Sequence, residues 1–136
     1  MSNYKKKNLK PLVSIIMNCY NGDKFLSQSL KSIKLQTYRN WELIFWDNKS
    51  TDNSEKIIKN YSDKRIRLFK SKKFLNLYSA RNLAIKKARG KFISFLDVDD
   101  LWKKDKLQKQ VSFLKQNKDF KIVYSNFITL DEIKNK

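Results

Sequence analysis

The chain has 136 residues, of which 40% are apolar and 13% aromatic; this suits one domain with a real core and excludes both a second domain and general disorder. Its 31 Lys and Arg against 13 Asp and Glu give a formal charge of +18, which predicts attraction to phosphates, nucleic acid or anionic lipid headgroups without choosing among them. The absence of histidine and the single cysteine, Cys19, exclude Ser-His-Asp, Cys-His and His-based zinc chemistry and an intramolecular disulfide, leaving carboxylates, Lys, Tyr and an oxygen-bound metal.

The lysines are spread through almost every segment, so biased codon usage accounts for much of the excess as readily as a ligand does. The basic N-terminus leads into a short apolar run, Leu12 to Met17, which follows Pro11 and ends in Asn18. It is about half the length of a signal-peptide core, and no stretch approaches the roughly 20 apolar residues of a membrane span. Residues 1–10 read as a basic tail, 11–130 as the domain and 131–136 as a C-terminal tail. The expected compartment is the cytosol, either free or against the inner face of a membrane.

In chain order, Val13 to Met17 is β-branched and apolar on both faces, the pattern of a strand buried in a parallel sheet. The turn Tyr20-Asn21-Gly22-Asp23 ends it, and Leu26, Leu30 and Ile33 then recur at helical spacing to about Gln36. Trp41 to Trp46 is a second buried strand. Ser50, Thr51, Asp52 and Glu55 offer capping side chains for a helix carrying Ile57, Ile58 and Tyr61. Arg65 to Phe69 is a short third strand. A helix from about Asn76 to Ala88 places Ala80, Ala84 and Ala88 in a narrow stripe suited to close packing, and Gly90 stops it. Lys91 to Leu96 is a fourth strand, Leu107, Val111 and Leu114 mark a fourth helix, and Phe120 to Tyr124 is a fifth strand. The alternation predicts an α/β fold with a mostly parallel sheet and helices on both faces.

Ligands of open α/β sheets bind at the carboxyl ends of the strands. Here those ends carry Asn18, Cys19, Tyr20 and Asn21, then Asp47 and Asn48, then Asp97, Asp99 and Asp100. Three aspartates in four residues repel one another unless a cation holds them, and Mg²⁺ or Mn²⁺ commonly uses one or two carboxylates plus substrate phosphates. The triplet also has a plainer reading, with Asp100 capping the helix that contains Leu107. Tyr20 stacks on a base or plugs the sheet end. Arg81 meets phosphate or lies on a solvated helix face. Cys19 reads as a small core residue.

The run VSIIMNCYNGDKFLSQSLKSIKLQTYRNWELIFWDNKSTDNS, followed by SARNLAIKKARGKFISFLDVDDLWKKDKLQKQ, resembles the N-terminal half of family 2 glycosyltransferases, from about Pro11 to Ile128. The resemblance implies a Rossmann-like GT-A nucleotide-diphospho-sugar transferase fold, cut after about the fifth strand. It also implies inverting transfer of a hexose from a nucleoside diphosphate sugar, UDP-sugar favoured, to an acceptor hydroxyl in cell-surface polysaccharide or glycolipid synthesis. Tyr20 is then the aromatic beside the base, Asp47 and Asn48 the pair that reads the pyrimidine, and Arg81 a residue at the diphosphate. Asp97 and Asp99 match the family's D-x-D, Asp97 near the ribose and Asp99 ligating Mn²⁺ or Mg²⁺, which would stabilise the leaving diphosphate.

Two departures accompany the match. The pair is Asp47-Asn48 rather than Asp-Asp, with Lys49 in place of a small residue. The family's carboxylate base and acceptor site fall beyond the fifth strand, and Asp131 and Glu132 do not match that motif, so the catalytic base is unassigned and a partner chain supplying the missing half is one expectation. Two other readings compete: a donor-binding module without catalysis, docked on anionic membrane, and a nucleic-acid-binding protein. The last requires exposed aromatics on a basic face, whereas Phe45, Trp46, Phe92 and Phe95 fall in strands expected to be buried.

Overall fold

The computed structural model describes residues 10–130; the tail residues 1–9 and 131–136, with Asp131 and Glu132, lie outside the described residues. Strands β1 (Val13–Cys19), β2 (Trp41–Asp47), β3 (Ile66–Lys70) and β4 (Phe92–Phe95) alternate with helices α1 (Asp23–Lys34), α2 (Ser54–Asn60), α3 (Leu77–Ile85) and α4 (Lys106–Gln116). The strands form one parallel sheet in the order β3-β2-β1-β4. The chain therefore winds outward from β1 through β2 and β3, then returns to place β4 on the other side of β1. That reversal is where open α/β sheets leave a crevice at their carboxyl edge.

Every residue of β2 is buried, and β1 is buried except for a partly covered Asn18, as continuous apolar runs in a parallel sheet require. The strand period of two divides the core. Val13, Ile15, Met17, Trp41, Leu43 and Phe45 pack on one face against Leu26, Leu30 and Ile33 of α1, Ile58 of α2, and Leu107 and Val111 of α4. Ile16, Ile44 and Trp46 pack on the other against Ala80 and Ala84 of α3. Methyl-sized side chains let α3 lie close to the strands, so the alanine stripe reads as expected.

A buried polar network anchors the far end of α3. Glu42 accepts from Ser14 Oγ at 2.7 Å, from the Arg89 N–H at 2.7 Å and from Arg67 Nη1 at 3.0 Å. Gly90 sits so close to β1 that a Cβ there would lie 2.6 Å from the Ser14 nitrogen and 2.8 Å from the Leu12 carbonyl oxygen. On the opposite face, buried Gln36 donates to the Lys103 carbonyl at 2.8 Å and accepts from the Leu107 N–H at 3.1 Å, fixing α4 to the end of α1.

The structure corrects three expectations. Residues 120–124 form no strand: Ile122 and Tyr124 are 82% and 89% exposed, and the segment has no ladder. Its β-branched and aromatic composition supplies propensity, but a strand forms only where a neighbour accepts its hydrogen bonds, and among the described residues the sheet ends at β4. Phe95, expected to be buried, is 47% exposed because it lies on this uncovered edge strand. Helix α3 stops at Ile85 rather than Ala88, since Lys87 and Ala88 donate three residues back, to Ala84 and Ile85, and the last turn tightens. No helix among the described residues is long and apolar enough to cross a membrane.

Candidate functional site

At the carboxyl ends of β1 and β2 the backbone is laced together by short polar side chains. The Asn48 N–H donates to the Cys19 carbonyl at 2.8 Å, and the Ser50 N–H donates to Asp47 Oδ1 at 3.0 Å. The Asn21 N–H donates to Ser50 Oγ at 3.0 Å, while Asn21 Oδ1 accepts from the Thr51 N–H at 2.8 Å. Gly22 and Asp23 continue the seam, their N–H groups donating to Ser54 Oγ at 3.0 Å and Asp52 Oδ2 at 2.9 Å. The expected capping run thus serves mainly as cross-link: the N-cap of α2 is Asn53, whose side chain makes no capping bond, and Asp52 Oδ1 accepts from the Ser54 N–H.

Two residues of this floor hold left-handed backbone, Asn21 at φ 51° and Lys49 at φ 68°. Asparagine tolerates that region; lysine carries a steric penalty of about 1 kcal/mol there. Its side chain is exposed at the rim of the site. Cys19 is buried, and burial above all pushes its thiol up, which fits a packing residue rather than a nucleophile.

Asp47 is buried at the end of β2, and Tyr20 stands 52% exposed at the rim. Asn48 is also buried, with both ends of its amide on one residue: Nδ2 donates to the Leu75 carbonyl at 2.7 Å, and Oδ1 accepts from the Leu75 N–H at 3.1 Å. The segment so held carries Phe74, which meets Tyr20 edge-on with ring centroids 4.7 Å apart and planes at 64°. Phe74 is absent from the residues singled out by sequence. The only available signal was an aromatic residue in a polar loop after a strand.

The third strand end is β4. Its Asp97 accepts from Arg81 Nη2 of α3 at 2.8 Å, so two residues singled out separately come together. Arg81 also lies 5.3 Å from the Phe95 ring centroid, and its buried Nε has no partner. Ser29 Oγ lies 2.6 Å and 2.7 Å from the carbonyl oxygens of Val98 and Asp100, fixing the curvature of the aspartate loop against α1. Gly22 bridges the two halves of the site, because a Cβ there would come within 2.8 Å of Val98 Cγ2. Asp100 does not cap α4, whose N-cap is Asp105.

Asp97, Asp99 and Asp100 are all exposed. Partial loss of solvent first, then the charges of Asp99 and Asp97, push the Asp100 carboxyl above its ordinary value. Among the described residues no three His, Cys, Asp or Glu side chains form a ready-made metal cage. The donor set nevertheless fits Mg²⁺ or Mn²⁺ bound in their common manner, by one or two carboxylates with the remaining oxygens coming from a diphosphate. Of the three aspartates, Asp97 is engaged by Arg81.

Residues 14–133 match the family described as glycosyl transferase family 2. The chain is 42% identical over 116 residues to an Escherichia coli protein, the UDP-Glc:alpha-D-GlcNAc-diphosphoundecaprenol beta-1,3-glucosyltransferase WfgD, a match covering 85% of this chain and 46% of that protein. It thus spans about half the length of such relatives. Among solved structures, S. aureus TarS 1-349 in complex with UDP superposes with a TM-score of 0.74 at 27% identity, covering 78% of this chain and 32% of that one. The mannosyltransferase PcManGT from Pyrobaculum calidifontis, in complex with GDP-Man and Mn2+, gives 0.72 at 25% identity, covering 79% and 33%. The sheet is of the GT-A type that the sequence implied. The chain belongs to glycosyl transferase family 2.

Proposed function

We propose that the carboxyl edge formed by β1, β2 and β4 binds a nucleoside diphosphate sugar together with Mn²⁺ or Mg²⁺, as the donor half of an inverting glycosyltransferase. The observation that carries this reading is that Tyr20, Asp47, Asp97 and Asp99 lie at three adjacent strand ends at the reversal of strand order, with Arg81 of α3 paired to Asp97. An exposed ring beside a buried carboxylate suits a base with a ring N–H, because the carboxylate accepts and the ring stacks. Uridine is the favoured nucleoside. Arg81, released from Asp97 or shared with it, offers charge-assisted hydrogen bonds to phosphate oxygens. Asp99 would hold the ion, which when bound neutralises charge on the departing diphosphate.

Asn48 supports the wall of the site by position, its amide holding Leu75 through one donated and one accepted bond. Transfer to a hydroxyl of a glycan or glycolipid acceptor requires a carboxylate base on the face opposite the leaving group. Among the described residues no carboxylate is assigned to that role. The excess of positive charge supports work at the cytoplasmic, anionic face of a membrane.

Calorimetry with UDP and GDP in the presence of Mn²⁺ tests the reading. UDP binds, and more tightly than GDP; binding of neither, or preference for GDP, contradicts it. Donor hydrolysis measured on the same chain separates a working transferase half from a binding module, which binds UDP-sugar and leaves it intact.

A further inference from the structure

We propose that Phe74 is a base-stacking residue, so that the nucleobase has a seat of two aromatic rings, Phe74 and Tyr20. The proposal rests on the reading of this edge as a nucleotide site. Phe74 is 58% exposed, although burying a ring of its size is strongly favourable. It is also held in place. On one side the Ser71 N–H donates to the Asp47 carbonyl at 2.8 Å, and Ser71 Oγ donates to the Lys73 carbonyl at 2.5 Å. On the other, Asn48 grips Leu75 by both its N–H and its carbonyl. The exposed ring is thus fastened on both flanks, to the same two β2-end residues that stand at the proposed base position.

The edge-on contact with Tyr20 explains only part of each ring's surroundings, since both remain about half exposed. In an edge-to-face pair the ring that presents its edge keeps its two faces available, and a planar base stacks on such a face whatever its sequence identity. A nearby carboxylate, Asp47, then supplies the hydrogen-bonding discrimination that stacking lacks. Mutual shielding of two surface rings is the competing explanation, and it requires no effect of Phe74 on any ligand.

The full 136-residue chain is titrated calorimetrically with UDP and Mn²⁺, and separately with inorganic pyrophosphate and Mn²⁺. Phe74→Ala and Phe74→Leu weaken UDP by about tenfold, Phe74→Trp stays within about threefold of the unaltered chain, and pyrophosphate binds all four alike. UDP affinity unchanged in Phe74→Ala, or pyrophosphate weakened as much as UDP, overturns the stacking role while leaving the nucleotide site standing. Should Phe74→Ala fail to fold, the comparison of Trp with Leu carries the test, and equal affinities overturn the proposal. Failure of the unaltered chain to bind UDP overturns the reading of the edge itself, and the stacking role with it.

Discussion

Asn48 and Leu75, 27 residues apart in sequence, are joined by two hydrogen bonds in opposite directions, one donated and one accepted by the same side-chain amide. An aspartate at position 48 can keep the bond from the Leu75 N–H but cannot donate to its carbonyl, and would set a carboxylate against that oxygen. Asn48→Asp therefore destabilises the chain by about 2 kcal/mol. Urea unfolding measures it, and a midpoint equal to that of the unaltered chain contradicts the structural role given to Asn48.

Lys49 is the strained residue of the floor, at φ 68°. Glycine there relieves the steric penalty but loses more entropy on folding, for a net gain of up to about 0.5 kcal/mol. Lys49→Gly should raise the urea midpoint with the slope unchanged. A lowered midpoint would mean that the lysine side chain supplies stability its exposed position does not account for.

Gly90 tests the seat of α3 on the sheet. The atoms an added methyl would strike include the Ser14 nitrogen and the Leu12 carbonyl oxygen, which are backbone and cannot swing aside. Gly90→Ala is expected to cost about 2–3 kcal/mol, seen as a lower thermal midpoint. Gly22→Ala meets the Val98 side chain instead, so it should cost less stability while disturbing the aspartate loop.

Glu42 sets an acid limit. Burial raises its pKa, but hydrogen bonds from Ser14, the Arg89 N–H and Arg67, with the Arg67 charge, outweigh burial and hold the carboxyl below its usual range. A carboxyl with a lowered folded-state pKa contributes stability that is present above the unfolded value and lost as pH falls through the folded one. Stability should thus fall on acidification below about pH 4.5, the ordinary glutamate value. Glu42→Gln flattens that part of the profile; an unchanged profile contradicts the assignment.

The double-sided burial of β1 and β2 was legible because a parallel strand writes it locally as an unbroken apolar run, as Val13 to Met17 does. The Ala80 and Ala84 stripe was legible for the same reason, its period being that of one helix. Asp47, Asp97 and Asp99 stood out as carboxylates directly after strands. What failed depends on partners distant in sequence. Phe120 to Tyr124 has a strand's composition but no ladder, and no local pattern reports a missing neighbour. The tie of Asn48 to Leu75 was not legible because it lies across a helix and a strand. Phe74, in a loop with no periodicity, offered only an aromatic side chain among polar neighbours until its place beside Tyr20 was visible.

Titration of the chain with UDP, with and without Mn²⁺, in parallel with Asp99→Ala, bears most directly on the metal-assisted donor site. The unaltered chain should bind UDP about tenfold or more tightly with Mn²⁺ than without it, and Asp99→Ala should lose that enhancement while keeping the metal-free affinity. Equal enhancement by Mn²⁺ in both proteins would contradict the assignment of the ion to Asp99.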